Sequence, residues 1–113
     1  MTEAESLFLQ IGSLADFPID TPRRIGILSG ALCVVRTSED TVFVLDDACP
    51  HEGASLSEGD VYEGRIECPL HGSTFELRSG AVRALPALHP VGIHEVRIRA
   101  GAIDVRLRTA DAH

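Results

Sequence analysis

The chain has 113 residues, 44% of them hydrophobic, and a formal net charge of -7. That size and composition fit one small domain with a modest core and exclude a disordered chain. An acidic protein without a single lysine is a poor partner for nucleic acid, and its longest unbroken apolar run, residues 31–35, is far too short to span a bilayer.

The N-terminus, Met1-Thr2-Glu3-Ala4-Glu5-Ser6, lacks the apolar core of a signal sequence, so a soluble, cytoplasmic protein is expected. Residues 6–11 (SLFLQI) read as a first strand. Ser13-Leu14-Ala15-Asp16 has the form of one helical turn with a capping serine, stopped by Pro18, and Pro22 marks another turn. Residues 31–37 and 41–45 are β-branched runs joined by Ser38-Glu39-Asp40. They predict a hairpin, and because both runs are apolar on both faces they should lie centrally.

Residues 59–67 predict a second hairpin turning at Glu63-Gly64, which delivers Cys68. Residues 74–77 and 81–85 flank a turn at Ser79-Gly80. Residues 91–99 and 102–108 pair around Ala100-Gly101. In the last of these strands Ile103, Val105 and Leu107 should face inward, with Asp104, Arg106 and Arg108 in water. The inward parity shifts between Ile93 and Val96, which predicts a bulge near His94-Glu95. No segment has a sustained helical period, so the fold class is all-β: short antiparallel strands in a small sandwich or barrel.

Charge is spread unevenly. Asp46, Asp47, Glu52, Glu58, Asp60, Glu63 and Glu67 face only Arg65 between residues 46 and 67. From Arg78 to Arg108 six arginines stand against Glu95 and Asp104.

The chemistry is concentrated in two short loops, Cys49-Pro50-His51-Glu52-Gly53 and Cys68-Pro69-Leu70-His71-Gly72-Ser73. Each offers one thiolate and one imidazole, and four such donors converging make a metal site. A structural zinc site is one reading, although zinc sites usually keep like ligands together. Mixed loops suit a two-iron cluster better, with cysteines on one iron and histidines on the other.

At this point the sequence resembles the Rieske [2Fe-2S] proteins. The two ligand pairs, Pro50, Gly53, Pro69 and the Gly72-Ser73 after the second histidine stand where that family has them. The resemblance implies one [2Fe-2S] cluster held by Cys49, His51, Cys68 and His71. It implies a single domain over residues 1–113, with a β base (1–46 and 77–113) from which a cluster-binding subdomain (47–76) projects. Ala54 and Leu70 occupy the positions where the quinol-oxidising members carry a disulfide, so the chain looks like the small ferredoxins that serve bacterial ring-hydroxylating oxygenases. Around the ligands the family pattern assigns supporting places to Gly53, Leu70, Gly72, Ser73, Phe75 and Pro86. Phe75 stands where the quinol-oxidising type has a hydrogen-bonding tyrosine, which implies a potential low in the roughly -150 to +300 mV Rieske range.

The same resemblance implies a monomeric one-electron carrier rather than an enzyme. It would be reduced by an NAD(P)H-dependent flavin reductase and oxidised by a terminal oxygenase, docking through His51, Glu52, His71 and Pro86. Two rivals are the small subunit of an NADH-dependent nitrite reductase and a zinc-stabilised interaction module without redox function. Cys33 is expected to be a packed core thiol, and His89, His94 and His113 to lie at the surface or in turns.

Overall fold

The computed structural model describes residues 8–28, 30–50, 53–70, 72–85 and 89–108. Among these, ten strands follow in order: β1 (Phe8–Ser13), β2 (Arg23–Ile27), β3 (Gly30–Arg36), β4 (Val42–Asp46), β5 (Asp60–Tyr62), β6 (Arg65–Glu67), β7 (Thr74–Glu76), β8 (Val82–Ala84), β9 (Ile93–Arg99) and β10 (Ala102–Arg106). Two single helical turns, Leu14–Asp16 and Leu56–Glu58, interrupt them. The first is closed by Asp16, whose carboxylate accepts the Ser13 N–H at 3.0 Å.

Alternation along β3 and β4 divides the interior into two cores. Leu32, Val34, Val42 and Val44 point to one side, where they meet Phe17, Ile103 and Val105. Cys33, Val35 and Leu45 point to the other, where they meet Leu56, Ile66, Phe75, Leu77 and both loop cysteines. These two strands are apolar on both faces because each face covers a core. A fully buried Val, Leu or Ile contributes about 1.5–3 kcal/mol, so this central pair anchors both layers.

The first core is wrapped by a six-stranded antiparallel sheet in the order β1-β10-β9-β4-β3-β2. Its edge strands β1 and β2 face each other across a slot lined by Leu9, Ile11, Ile25, Ile27 and Leu28. The second core is covered by a four-stranded sheet, β5-β6-β7-β8, which therefore runs on past residue 76. Both predicted two-residue turns form as expected. Glu63 and Gly64 have φ of 49° and 75°, and Ala100 and Gly101 have 51° and 82°, the paired positive angles that match strand twist in a tight hairpin.

Three expectations need correction. The pairing of β9 with β10 runs unbroken from Glu95 to Arg99, so no bulge lies at His94-Glu95. Ile93 turns to the second core while Val96 and Ile98 turn to the first; the apparent parity shift is one strand serving two cores. Bulges fall instead at Gln10/Gly12 and Thr74/Phe75. Asp104 is buried rather than in water, because Arg97 (3.0 Å) and Arg99 (3.9 Å) close over it and Arg97 stacks on Phe8 at 4.0 Å from the ring centroid.

His94 is likewise buried, between Asp46 and the backbone of Arg108, whereas His89 is exposed and His113 lies outside the described residues. Strand β2 carries no sequence signal. It begins with two arginines and has Gly26 between its two isoleucines, and only pairing with β3 makes it a strand.

Candidate metal centre

The two cysteine loops close in the same way. The N–H of Cys49 donates to the Ala54 carbonyl at 2.8 Å, and the N–H of Gly53 returns to the Cys49 carbonyl at 2.7 Å. In the second loop the N–H of Cys68 donates to the Ser73 carbonyl at 2.7 Å, and the N–H of Gly72 returns to the Cys68 carbonyl at 3.3 Å. Each loop therefore spans five residues from the cysteine, with proline next to it and glycine four positions on. Gly53 and Gly72 have φ of 74° and 77°. A Cβ at Gly53 would touch nothing, so the left-handed backbone alone selects glycine there.

Different supports hold the two loops. The second leaves β6 and enters β7, and the pairs Glu67↔Thr74, Ile66↔Phe75 and Arg65↔Glu76 fix its stem. The first has no strand on its return leg. Its stem is a single bridge, Ala48↔Ser55, reinforced by Asp47. The backbone of Asp47 donates to Ala31 and accepts from Leu56. Its carboxylate accepts the Ser57 N–H at 2.8 Å and the Ser55 hydroxyl. Along the sequence Asp47 is only one of seven acids between residues 46 and 67. The serines at alternate positions 55 and 57, just past the loop, were the signal that it had a structural task.

Cys49 and Cys68 are 2% and 1% exposed and share one apolar core. Two thiols shielded from water, each followed by a histidine two or three positions on, supply two sulfur and two nitrogen donors. That donor set fits a cluster of two irons. Of the surrounding residues, Ser73 and Phe75 are buried beneath the second loop, while Pro50, Pro69 and Leu70 are exposed on the loops themselves. His51, Glu52, His71 and Pro86 lie outside the described residues. Cys33 is wholly buried, and its thiol is pushed up to about 12, first by burial and then by the Asp47 carboxylate.

A two-layer β scaffold that presents two cysteine loops closed by the same pair of backbone hydrogen bonds is the architecture of an iron–sulfur protein. The family model for the Rieske [2Fe-2S] domain matches residues 8–98, and the chain belongs to that family. It carries one [2Fe-2S] cluster. Among its relatives, the anthranilate 1,2-dioxygenase ferredoxin subunit of Burkholderia cepacia is 34% identical over 108 residues, 95% of this chain and 99% of that one.

The solved ferredoxin of carbazole 1,9a-dioxygenase from Nocardioides aromaticivorans IC177 superposes with a TM-score of 0.84 at 30% identity, covering 89% of this chain and 98% of the other. A chain in the complex of reduced oxygenase and oxidized ferredoxin in carbazole 1,9a-dioxygenase superposes with a TM-score of 0.83 at 32% identity, covering 88% and 93%. A putative NADH-dependent nitrite reductase small subunit from Mycobacterium tuberculosis, 17% identical, shares the fold alone.

Proposed function

We propose that this protein is a one-electron carrier between an NAD(P)H-dependent flavin reductase and a terminal ring-hydroxylating oxygenase, with Cys49, His51, Cys68 and His71 as the cluster ligands. One observation carries the reading: two matched cysteine loops on a scaffold that is alike, over nearly its whole length, to ferredoxin subunits of aromatic dioxygenases. The cluster, when bound, supplies a single one-electron couple, passing from a net charge of zero to -1 with its four ligands.

The chain's own residues do the rest. Buried Cys49 and Cys68 keep water from the inner side. Pro50, Pro69 and Leu70 leave the loops exposed, so that His51 and His71 in them would form the contact for both partners. A carrier that must show the same tip to donor and acceptor in turn works as a monomer and transforms no organic substrate itself. No helix among the described residues is long and apolar enough to cross a membrane, and the reading assigns the protein to the cytoplasm.

The test is an iron and acid-labile sulfide assay on anaerobically purified protein, with an electron paramagnetic resonance spectrum of the reduced form. Two irons, two sulfides and a low-average-g rhombic signal are expected. A single metal per chain, or zinc, would refute the ligand assignment. Reconstitution with a flavin reductase and a ring-hydroxylating oxygenase then tests the partners: the oxygenase should turn over only when this protein is present.

A further inference from the structure

One buried charge stands beside the first loop. Asp47 is 3% exposed, and the groups that meet its carboxylate are donors: the N–H of Ser57, the hydroxyl of Ser55, and the guanidinium Nε of Arg24 at 3.5 Å. Arg24 is itself 61% exposed and mostly solvated, so it offsets little of the charge it faces. Only Ala48 separates Asp47 from Cys49, which puts their Cα atoms within about 7 Å of each other. Of the buried polar side chains among the described residues, the only other carboxylate is Asp104, which has two arginines of its own.

We infer that Asp47 sets the reduction potential of the centre: its buried carboxylate opposes the arriving electron and holds the couple lower than the four ligands alone would. The inference rests on the reading of Cys49 and Cys68 as ligands. Asp47 is joined to the same core through its backbone, which accepts the N–H of Leu56 at 2.7 Å, and Leu56 packs in one cluster with both loop cysteines. A negative charge held out of water disfavours an added electron in the same apolar surroundings. Asp47 acts through space and through the loop it closes; it is a positioning and field-setting residue, not a ligand.

The experiment is a redox titration of the cluster-loaded protein. Asp47→Asn keeps an acceptor for the Ser57 N–H and a partner for the Ser55 hydroxyl while deleting the charge. A unit charge about 10 Å away, at an effective dielectric of about 20, changes an equilibrium roughly tenfold. Reduction by a mediator of fixed potential should therefore become roughly tenfold more favourable, about 59 mV for a one-electron couple. The shift should change little between about 0.05 and 0.5 M salt, because the charge is buried. Arg24→Gln, which removes the exposed counterion, should move the equilibrium the other way, roughly twofold.

Both variants should retain two irons, two sulfides and the wild-type paramagnetic resonance spectrum, which a merely structural role for Asp47 does not predict. An unchanged or lowered potential in Asp47→Asn overturns the inference, as does a shift of Arg24→Gln in the same direction as Asp47→Asn. If Asp47→Asn fails to assemble, Arg24→Gln decides alone, and an unchanged potential there overturns it. Wild-type protein without two irons and two sulfides would instead overturn the ligand reading, and this inference with it.

Discussion

The imidazole of His94 is held between a side chain and the chain's far end: its Nε2 lies 2.8 Å from Oδ1 of Asp46, and its Nδ1 accepts the backbone N–H of Arg108 at 2.9 Å. The acceptor role of Nδ1 places the proton on Nε2, facing the carboxylate. Asp46 is the last residue of β4 and donates its N–H to Gly92 at 2.9 Å. One ring thus ties the end of β10 to the strand that hands the chain over to the first cluster loop. Two hydrogen bonds at about 1 kcal/mol each set the scale. His94→Ala should lower stability by about 2 kcal/mol in urea denaturation of the holo-protein, and His94→Gln should recover part of it. A loss below about 0.5 kcal/mol would show that the tie is dispensable.

Cys33 gives a prediction with a sign. Its thiol, ordinarily near 9.0 in an unfolded chain, is pushed up to about 12 in the fold by burial and by the Asp47 carboxylate. Below pH 9 neither state ionises, and the group contributes nothing to the pH dependence. Between pH 9 and 12 only the unfolded state loses the proton, so stability falls as pH rises through this window, by up to about 4 kcal/mol at 1.36 kcal/mol per unit. Cys33→Ala or Cys33→Ser should flatten that alkaline decline. Folded protein should leave Cys33 unalkylated by iodoacetamide at pH 8.5, conditions under which a denatured control reacts.

The second loop invites a pair of substitutions with opposite effects. Ser73 is buried where the Rieske pattern has a hydroxyl donor to cluster sulfur, and Phe75 is buried where the quinol-oxidising type has a second. A donor favours the more negative, reduced state. Ser73→Ala should lower the midpoint potential, and Phe75→Tyr should raise it, each by about 40 mV for about 1 kcal/mol of differential hydrogen bonding. Redox titration reads both. An unchanged potential in Ser73→Ala would remove Ser73 from the site.

Gly59 precedes β5, and a Cβ there would overlap the carbonyl oxygen of Glu67. Glu67 ends β6, directly before Cys68. Gly59→Ala must push that strand away, at a cost of about 2–3 kcal/mol. It should also reduce iron content per chain, measured after identical anaerobic purification. Gly26→Ala, with nothing within 4 Å of the added atom, is the matched control and should load normally.

Of the acids between residues 46 and 67, Asp46, Glu58, Asp60 and Glu63 are exposed, while the six C-terminal arginines are partly neutralised by Glu76, Glu95 and Asp104. The surface near the loops therefore keeps its negative charge. Electron transfer from a flavin reductase should slow several-fold as ionic strength rises from about 0.05 to 0.5 M, because pairing of exposed charges is screened. Rates indifferent to salt would mean that docking is apolar.

Much of the site was legible because its chemistry is local. Two loops of the form Cys-Pro-x-x-Gly, each with a histidine, state the donor types, the turn and the glycine that the turn needs within six residues. The hairpins were legible for the same reason, since Glu63-Gly64 and Ala100-Gly101 adopt the positive φ pair that a two-residue turn demands. Strand β2 was not, because Ile25 and Ile27 alone, beside two arginines and a glycine, are too short a pattern to mark a strand, and the segment becomes one only against β3.

Amino-acid order alone therefore determined the all-β class, the cluster loops and the kind of metal they suit. Only the tertiary structure decided which charges lie inside. Asp47, Asp104 and His94 look like surface residues when read along a strand, because alternation predicts one polar and one apolar face. Their burial comes from partners 7 to 48 positions away: Ser55 and Ser57 for Asp47, Arg97 for Asp104, Asp46 for His94. A charge can leave water only where several donors or acceptors converge on it, and convergence of distant segments is a property of the folded chain, not of any stretch within it.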